Sequence, residues 1–205
     1  MKTKLTIQQR VIPFYRAPFF ELMAKQPDFD IQIVAGKPQQ KENIRPAETL
    51  KNIRFDHIQN VHLFSGKVYL CLQPGLLAAV RKQNPDVIIM EANARYLSSP
   101  SVIRWMKSQH KPVIGWGLGV PKNSGIISDL LTLRWKSFLR SFDKMIAYSQ
   151  KGADEYLRLG FDAKDVYVAA NAAVSAPAQE PPLRSVWQKD YQPIVLYVGR
   201  IQQRK

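Results

Sequence analysis

Apolar positions along this chain gather into short runs, and most of these runs are followed by a stretch with helical spacing. Residues 4–8 read as a first strand, with the apolar step 11–13 after it. A helix over about 15–25 then places Phe19, Leu22 and Met23 on one face. Pro27 stops that helix, because proline has no backbone N–H to continue it. Residues 29–34 alternate apolar with polar and turn at Gly36-Lys37-Pro38, which makes them a second strand. The polar stretch 37–52 predicts a surface loop, followed by a third strand near 53–58 and a short pair around 61–64. A helix over 76–83 and the turn Asn84-Pro85-Asp86 lead into Val87-Ile88-Ile89-Met90, whose unbroken hydrophobicity marks a strand buried on both faces.

The second half repeats the alternation. It predicts a helix over 100–109, a strand over 112–116, the loop Gly117-Leu118-Gly119 and a long helix near 126–142. A strand over 144–149, a helix over 152–159 stopped by Gly160, and a strand over 166–169 complete it. Seven strands interleaved with helices predict an α/β fold built on a doubly wound parallel sheet. Composition then changes. Ser175-Ala176-Pro177-Ala178 and Glu180-Pro181-Pro182 make residues 175–192 a semi-rigid linker. The five apolar residues 194–198 form one more strand, which runs into Gly199-Arg200-Ile201-Gln202-Gln203-Arg204-Lys205. The expected organisation is one domain over 1–174, the linker 175–192, and the opening of a second, incomplete domain over 193–205.

Composition narrows the function classes. An apolar share of 45% against 22% charged suits a packed core. The formal net charge of +14 points to a polyanionic neighbour: phosphorylated ligands, an anionic lipid surface or nucleic acid. Nucleic acid is disfavoured, because no basic motif interleaved with aromatics is visible. A single cysteine, Cys71, excludes an internal disulfide framework and fits a reducing compartment. Gln8-Gln9-Arg10 interrupts the N-terminal apolar stretch before a signal peptide can form, and no run approaches the ~20 apolar residues of a membrane span. A cytoplasmic protein, soluble or peripheral at the membrane, is expected. Three scattered histidines and one cysteine offer no metal-ligand spacing, so no metal is expected. No Gly-x-Ser-x-Gly elbow supports a hydrolytic triad, and Gly115-x-Gly117-x-Gly119 lacks the helix that a dinucleotide site opens.

Several stretches carry a resemblance. Tyr197-Val198-Gly199-Arg200-Ile201-Gln202-Gln203-Arg204-Lys205 is similar to a "vGRl…K" motif with lysine five residues after the arginine. Ile146-Ala147-Tyr148-Ser149, Gly152, Gly160 and Val168-Ala169-Ala170-Asn171 follow in the same family's order. So do Gln9-Arg10-Val11-Ile12-Pro13-Phe14-Tyr15-Arg16 and Glu91-Ala92-Asn93-Ala94-Arg95-Tyr96-Leu97-Ser98. Together they resemble the N-terminal half of a two-domain GT-B glycosyltransferase of the large retaining family four. That resemblance implies transfer of a sugar from a nucleotide-sugar donor, UDP- or GDP-linked, to a lipid-linked or saccharide acceptor. The donor is a substrate, and no separate cofactor is implied. A donor-binding domain completing the cleft is implied beyond Lys205, and the chain alone is expected not to catalyse transfer. Gly199, Arg200 and Lys205 would grip the donor diphosphate, where fixed cations stabilise the charge growing on the leaving group. Two departures stand out: Gln8-Gln9-Arg10 replaces a glycine-rich turn, and Leu118 stands where the subgroup often places histidine. No catalytic residue is assigned.

Other candidates come from position. Arg10, Tyr15, Arg16, Glu91, Asn93 and Arg95 lie just past strand ends, where α/β sheets place ligand groups, and Gly117 and Gly119 border the same edge. They either contact an acceptor in the cleft or serve as solvated turns and caps. Ser149 and Asn171 read as caps, and His57, His62 and His110 as structural or exposed. On the long helix, Ile127, Leu130, Leu131, Trp135, Phe138, Leu139 and Phe142 form an apolar stripe. The stripe faces inward on the simpler reading. On the other, Arg134, Trp135, Lys136 and Arg140 face an anionic membrane.

Overall fold

The computed structural model of the chain describes residues 2–64, 66–120, 128–170 and 179–180. Strand β1 (Thr3–Val11) is followed by α1 (Ala17–Met23), β2 (Phe29–Gly36), β3 (Arg54–His57) and a short hairpin of β4 (Val61–Leu63) and β5 (Leu70–Leu72). Then come α2 (Leu76–Gln83), β6 (Val87–Glu91), α3 (Ser99–Ser108), β7 (Val113–Gly117), α4 (Ser128–Leu139), β8 (Lys144–Ala147), α5 (Gln150–Arg158) and β9 (Val166–Val168). Seven strands form one sheet in the order β3-β2-β1-β6-β7-β8-β9, and every pairing in it is parallel. The expected doubly wound α/β sheet is the fold of the compact unit Met1–Val174.

Strand alternation sends side chains to opposite faces, and each face has its own core. Ile88, Met90, Val113 and Met145 lie under Leu76 and Val80 of α2, Val102 and Met106 of α3, Leu139 of α4, and Ala153 and Tyr156 of α5. Leu5, Ile7, Ile31, Ile33, Ile89 and Trp116 meet Phe20 of α1 together with Ile12, Ala47, Leu50 and Ile53 on the other side. Polar residues within β1 are paired rather than stranded. Thr6 Oγ1 donates to Gln83 Oε1 at 2.9 Å, and Gln83 Nε2 donates to Asp56 Oδ2 at 2.9 Å. Ser149 caps α5 by accepting the Gly152 amide at 3.2 Å, and Gly160 takes φ +97° just past that helix, as its sequence position predicts.

Where expectation and structure differ, the elements are short. The strand around 61–64 has its antiparallel partner at Leu70–Leu72, three residues too few for a readable period. That hairpin is held from outside: the Cys71 amide donates to the Arg95 carbonyl at 2.9 Å, and the Leu97 amide donates to Cys71 at 2.8 Å. The linker apart from 179–180, the final strand with Gly199, Arg200 and Lys205, and Asn171 lie outside the described residues. Among the described residues no helix is long and apolar enough to cross a membrane.

Gly117 and Gly119 show how β7 meets α5. A Cβ on Gly117 would fall 2.7 Å from Tyr156 Oη and 3.1 Å from Ala92 Cβ. Gly119 sits at φ +109°; its amide donates to Tyr156 Oη at 3.0 Å, and the Val120 amide donates to Glu155 Oε2 at 2.8 Å. The Gly117→Ala variant should lose about 1–3 kcal/mol to overpacking. Tyr156→Phe should lose about 1 kcal/mol by leaving the Gly119 amide without its acceptor. The double variant should lose less than the sum, because the missing hydroxyl makes room for the methyl. Urea unfolding checks this, and strictly additive losses would refute the contact.

Candidate functional site

The sheet order places β1 at a reversal: β2 and β3 are laid down on one side of it, β6 to β9 on the other. Loops leaving the carboxyl ends of β1 and β6 diverge, and such a switch point is where an open α/β sheet receives its ligand. Arg10 and Glu91 stand at those two ends. Gln9 pairs with Ala35 and Val11 with Gly36, so Arg10 is the extra residue of a β-bulge.

The bulge frees both backbone groups of Arg10 from the ladder, and side chains take them. The Arg10 amide donates to Glu91 Oε2 at 2.7 Å, and the Arg10 carbonyl accepts from Asn60 Nδ2 at 2.8 Å. Gln73 Nε2 donates to Asn60 Oδ1 at 2.8 Å, Gln8 Nε2 donates to Gln73 Oε1 at 2.7 Å, and the Glu91 amide donates to Gln8 Oε1 at 3.2 Å. The five residues close a ring of hydrogen bonds, Glu91 to Gln8 to Gln73 to Asn60 to Arg10 and back to Glu91. Gly36 leaves the space for it, since a Cβ there would overlap the Asn60 side chain. Gln8 and Gln73 are fully buried in strand and loop positions where the ring supplies their partners.

Side chains around the ring set its charge. Arg10 Nη1 donates to Glu42 Oε2 at 2.9 Å, and its guanidinium lies 5.9 Å from the centre of the Tyr69 ring. Burial raises Glu42, but the Arg10 and Gln39 hydrogen bonds outweigh it and hold the carboxyl below its ordinary range. Burial pushes Tyr69 up to about 12 and holds His62 below its usual value. Tyr69 Oη and His62 Nδ1 share a hydrogen bond at 2.8 Å, and His62 Nε2 reaches the Lys37 carbonyl at 3.4 Å. Glu91 keeps some exposed surface, yet protein crowds its carboxyl. Burial pushes it up against the pull of the Arg10 amide, of the Arg10 and Arg16 charges and of the Tyr96 hydroxyl.

Arg16 is placed differently. It is 7% exposed, and Nη1 makes a long bond to Gln9 Oε1 at 3.4 Å. Its guanidinium sits 5.0 Å from the centre of Trp116, 5.3 Å from Phe20 and 5.8 Å from Phe19. Trp116 in turn stacks on Tyr148 at 5.5 Å. Tyr15 is 44% exposed on the neighbouring turn, edge-on to Phe14. Asn93 Oδ1 accepts the Arg95 amide at 3.1 Å, which makes Asn93 a turn former. Gly117 and Gly119 serve the packing of α5 already described, while Leu118 between them is 82% exposed.

The structure thus brings Arg10, Arg16 and Glu91 to one crevice. Position past a strand end does not reach Gln8, Gln73, Asn60, Trp116 and Tyr148. The available signal was the polar pair Gln8-Gln9, two consecutive glutamines where a central strand would continue with apolar residues. On α4, Trp135 and Phe138 pack against the core as the inward reading of the stripe expects, Arg134 is exposed, and Lys136 is half-buried. Arg140 follows α4 and donates through Nε to the Leu159 carbonyl at 3.1 Å. Among the described residues no cluster of histidine, cysteine and carboxylate side chains can hold a metal ion.

No protein-family model matches the chain, and no curated protein matches it by sequence. Solved structures share its fold. A protein described as a UDP-N-acetylglucosamine 2-epimerase from Listeria monocytogenes matches over 81% of this chain and 44% of its own, with a TM-score of 0.52 and 13% identity. The S. aureus MnaA–UDP complex matches over 82% and 44%, with a TM-score of 0.51 and 12% identity. The apo lipopolysaccharide outer core galactosyltransferase WaaB matches over 90% and 50%, with a TM-score of 0.51 and 16% identity. The chain spans about half the length of these neighbours. At such identities the likeness is one of fold: a Rossmann-like half of the GT-B type.

Two measurements probe the site. Gln73→Leu removes a partner from both Gln8 and Asn60, and each stranded buried group costs about 1–3 kcal/mol, read by urea unfolding. Glu91 gives a pH signature. Its folded pKa lies above the ordinary value of about 4.5, so its carboxyl is neutral in both states below that pH, and stability falls as pH rises through the raised pKa. Glu91→Gln mimics the neutral form. Its melting temperature should match the parent at pH 4, exceed it increasingly as pH rises, and then level off. A difference independent of pH would contradict the burial cost.

Proposed function

We propose that this chain is the acceptor-binding part of a nucleotide-sugar-dependent glycosyltransferase, resembling those of retaining family four. The observation that carries the reading is the crevice at the β1–β6 switch point, ringed by buried hydrogen bonds and flanked by Arg10, Arg16 and Glu91. The fold shared with a galactosyltransferase and with a protein solved bound to UDP supports it. The acceptor, lipid-linked or saccharide, enters this crevice. Gly199, Arg200 and Lys205 hold the donor diphosphate, UDP- or GDP-linked, once a donor-binding sheet completes the domain that residues 193–205 begin.

The chemistry divides accordingly. Negative charge grows on the departing diphosphate, and cations fixed before the reaction stabilise the transition state more than the ground state. Arg200 provides a planar fork for phosphate oxygens and Lys205 a point charge. On the acceptor side, the bulge at Arg10 fixes the crevice floor through backbone hydrogen bonds, so the acceptor meets a site that does not reorganise. The net charge of +14 draws the protein to anionic lipid, at the cytoplasmic face of the membrane, where lipid-linked acceptors reside.

A second reading, a basic Rossmann-like module without catalysis that binds the membrane surface or nucleic acid, rests on that same charge. Transfer assays with UDP- and GDP-linked sugars and lipid-linked or saccharide acceptors decide between them, run on residues 1–205 and on the protein carrying a donor-binding domain after them. Turnover is expected only from the latter, with kcat lowered at least about 10²-fold by Arg200→Ala. Turnover by 1–205 alone would defeat the division of labour. Absence of transfer in both, with co-sedimentation on anionic vesicles, would favour the binding module.

A further inference from the structure

Among the described residues, two buried donors near the carboxyl ends of β1 and β7 have no acceptor: Nε of Arg16 and Nε1 of Trp116. They belong to one cluster, because the Arg16 guanidinium lies 5.0 Å from the centre of the Trp116 ring. Both residues are more than nine-tenths buried, at 7% and 6% exposure. Buried polar groups are paired in the great majority of folded proteins, and an unpaired one is costly when the group is also charged. An arginine left in this state calls for an anion to complete it.

Among the described residues no group supplies that anion, and no carboxylate forms an ion pair with Arg16. The nearest candidate, Glu91, is committed to the Arg10 amide, and burial pushes its carboxyl toward the neutral form. Aromatic faces of Phe19, Phe20 and Trp116 frame the guanidinium. They stabilise its charge by cation–π attraction but accept no conventional hydrogen bond from Nε. Tyr148, stacked on Trp116, hydrogen-bonds through its hydroxyl to the Arg16 side chain, a neutral partner that leaves Nε unpaired and the charge unbalanced.

We propose that Arg16 Nε and Trp116 Nε1 together bind an oxyanion of the acceptor, a phosphate or a carboxylate, whose oxygens accept from both donors at the carboxyl ends of β1 and β7. A phosphate or carboxylate offers several acceptor oxygens on one charged centre, so it can satisfy a guanidinium N–H and an indole N–H at once. A neutral hydroxyl offers no charge to balance Arg16. Arg10 does not compete for the role, because Glu42 already pairs with it. The proposal rests on the acceptor reading above and narrows it: the acceptor carries negative charge, either as a phosphorylated carrier or as an acidic sugar.

The test uses the whole ¹⁵N-labelled chain and reads the indole N–H resonance of Trp116, assigned by its loss in Trp116→Phe. Methyl phosphate, glucuronate and glucose are titrated separately. An anionic probe is expected to shift that resonance and glucose to leave it in place. Arg16→Met should weaken binding at least about tenfold, and Arg16→Lys, which keeps the charge without the fork, less. A response to methyl phosphate alone identifies a phosphorylated carrier, and one to glucuronate alone an acidic sugar; either supports the site. Should Arg16→Met fail to fold, calorimetry of the same probes on Trp116→Phe, which keeps the ring packing, decides: weaker binding supports the proposal and unchanged binding overturns it. An equal response to glucose, or none to any anion, also overturns it. Since the readout involves no transfer, failure of the glycosyltransferase reading would leave this result standing, and the reverse holds equally.

Discussion

The ring of hydrogen bonds through Glu91, Gln8, Gln73, Asn60 and Arg10 is the constraint on which the candidate site depends. A bulge at the end of a central strand exposes backbone groups that the ladder no longer satisfies. In a buried setting each such group is costly unless a partner is fixed beside it. Here four side chains from four separate segments supply partners to one another and to the bulge. Removing any member leaves at least one buried group without its bond, so the crevice floor is held as a unit.

That unit explains the distribution of charge. Arg10, displaced by the bulge, turns to Glu42 and the Tyr69 ring and is thereby neutralised within the chain. Glu91 spends an oxygen on the Arg10 amide and is crowded enough that burial works against its charge. Arg16, one turn further along, has aromatic neighbours instead of a carboxylate. Among the described residues, Arg16 thus has no carboxylate ion pair, and it stands near a carboxyl that burial pushes toward its neutral form. On the far side of the crevice the packing of Gly117 and Gly119 against α5 sets the position of Trp116 at the end of β7.

Much of the fold was legible because strands buried on both faces must be continuously apolar. Val87-Ile88-Ile89-Met90 could hardly be read as anything else, whereas strands such as 29–34 were read from alternation and from the turns that bound them. The hairpin partner Leu70–Leu72 was not legible, because three residues carry no period and its ties to Arg95 and Leu97 are long-range. For the site, Arg10, Arg16 and Glu91 could be named from position alone, since ligand groups gather past strand ends. Asn60, Gln73 and Trp116 could not, because what selects them is proximity across the sheet edge, and nothing local marks it.

The sequence by itself determined the alternation of strands and helices, the parallel sheet that follows from it, and the strong positive charge. These depend on periodicity and composition, which are local or additive. Only the tertiary structure decided that the arginine at the end of β1 and the one just past it have opposite fates. Arg10 and Arg16 look equivalent along the chain, but a bulge turns one toward Glu42 and a short helical turn buries the other against Trp116. Pairing of a buried charge is settled by which groups the fold brings within a few ångströms, and the order of residues does not reveal that distance.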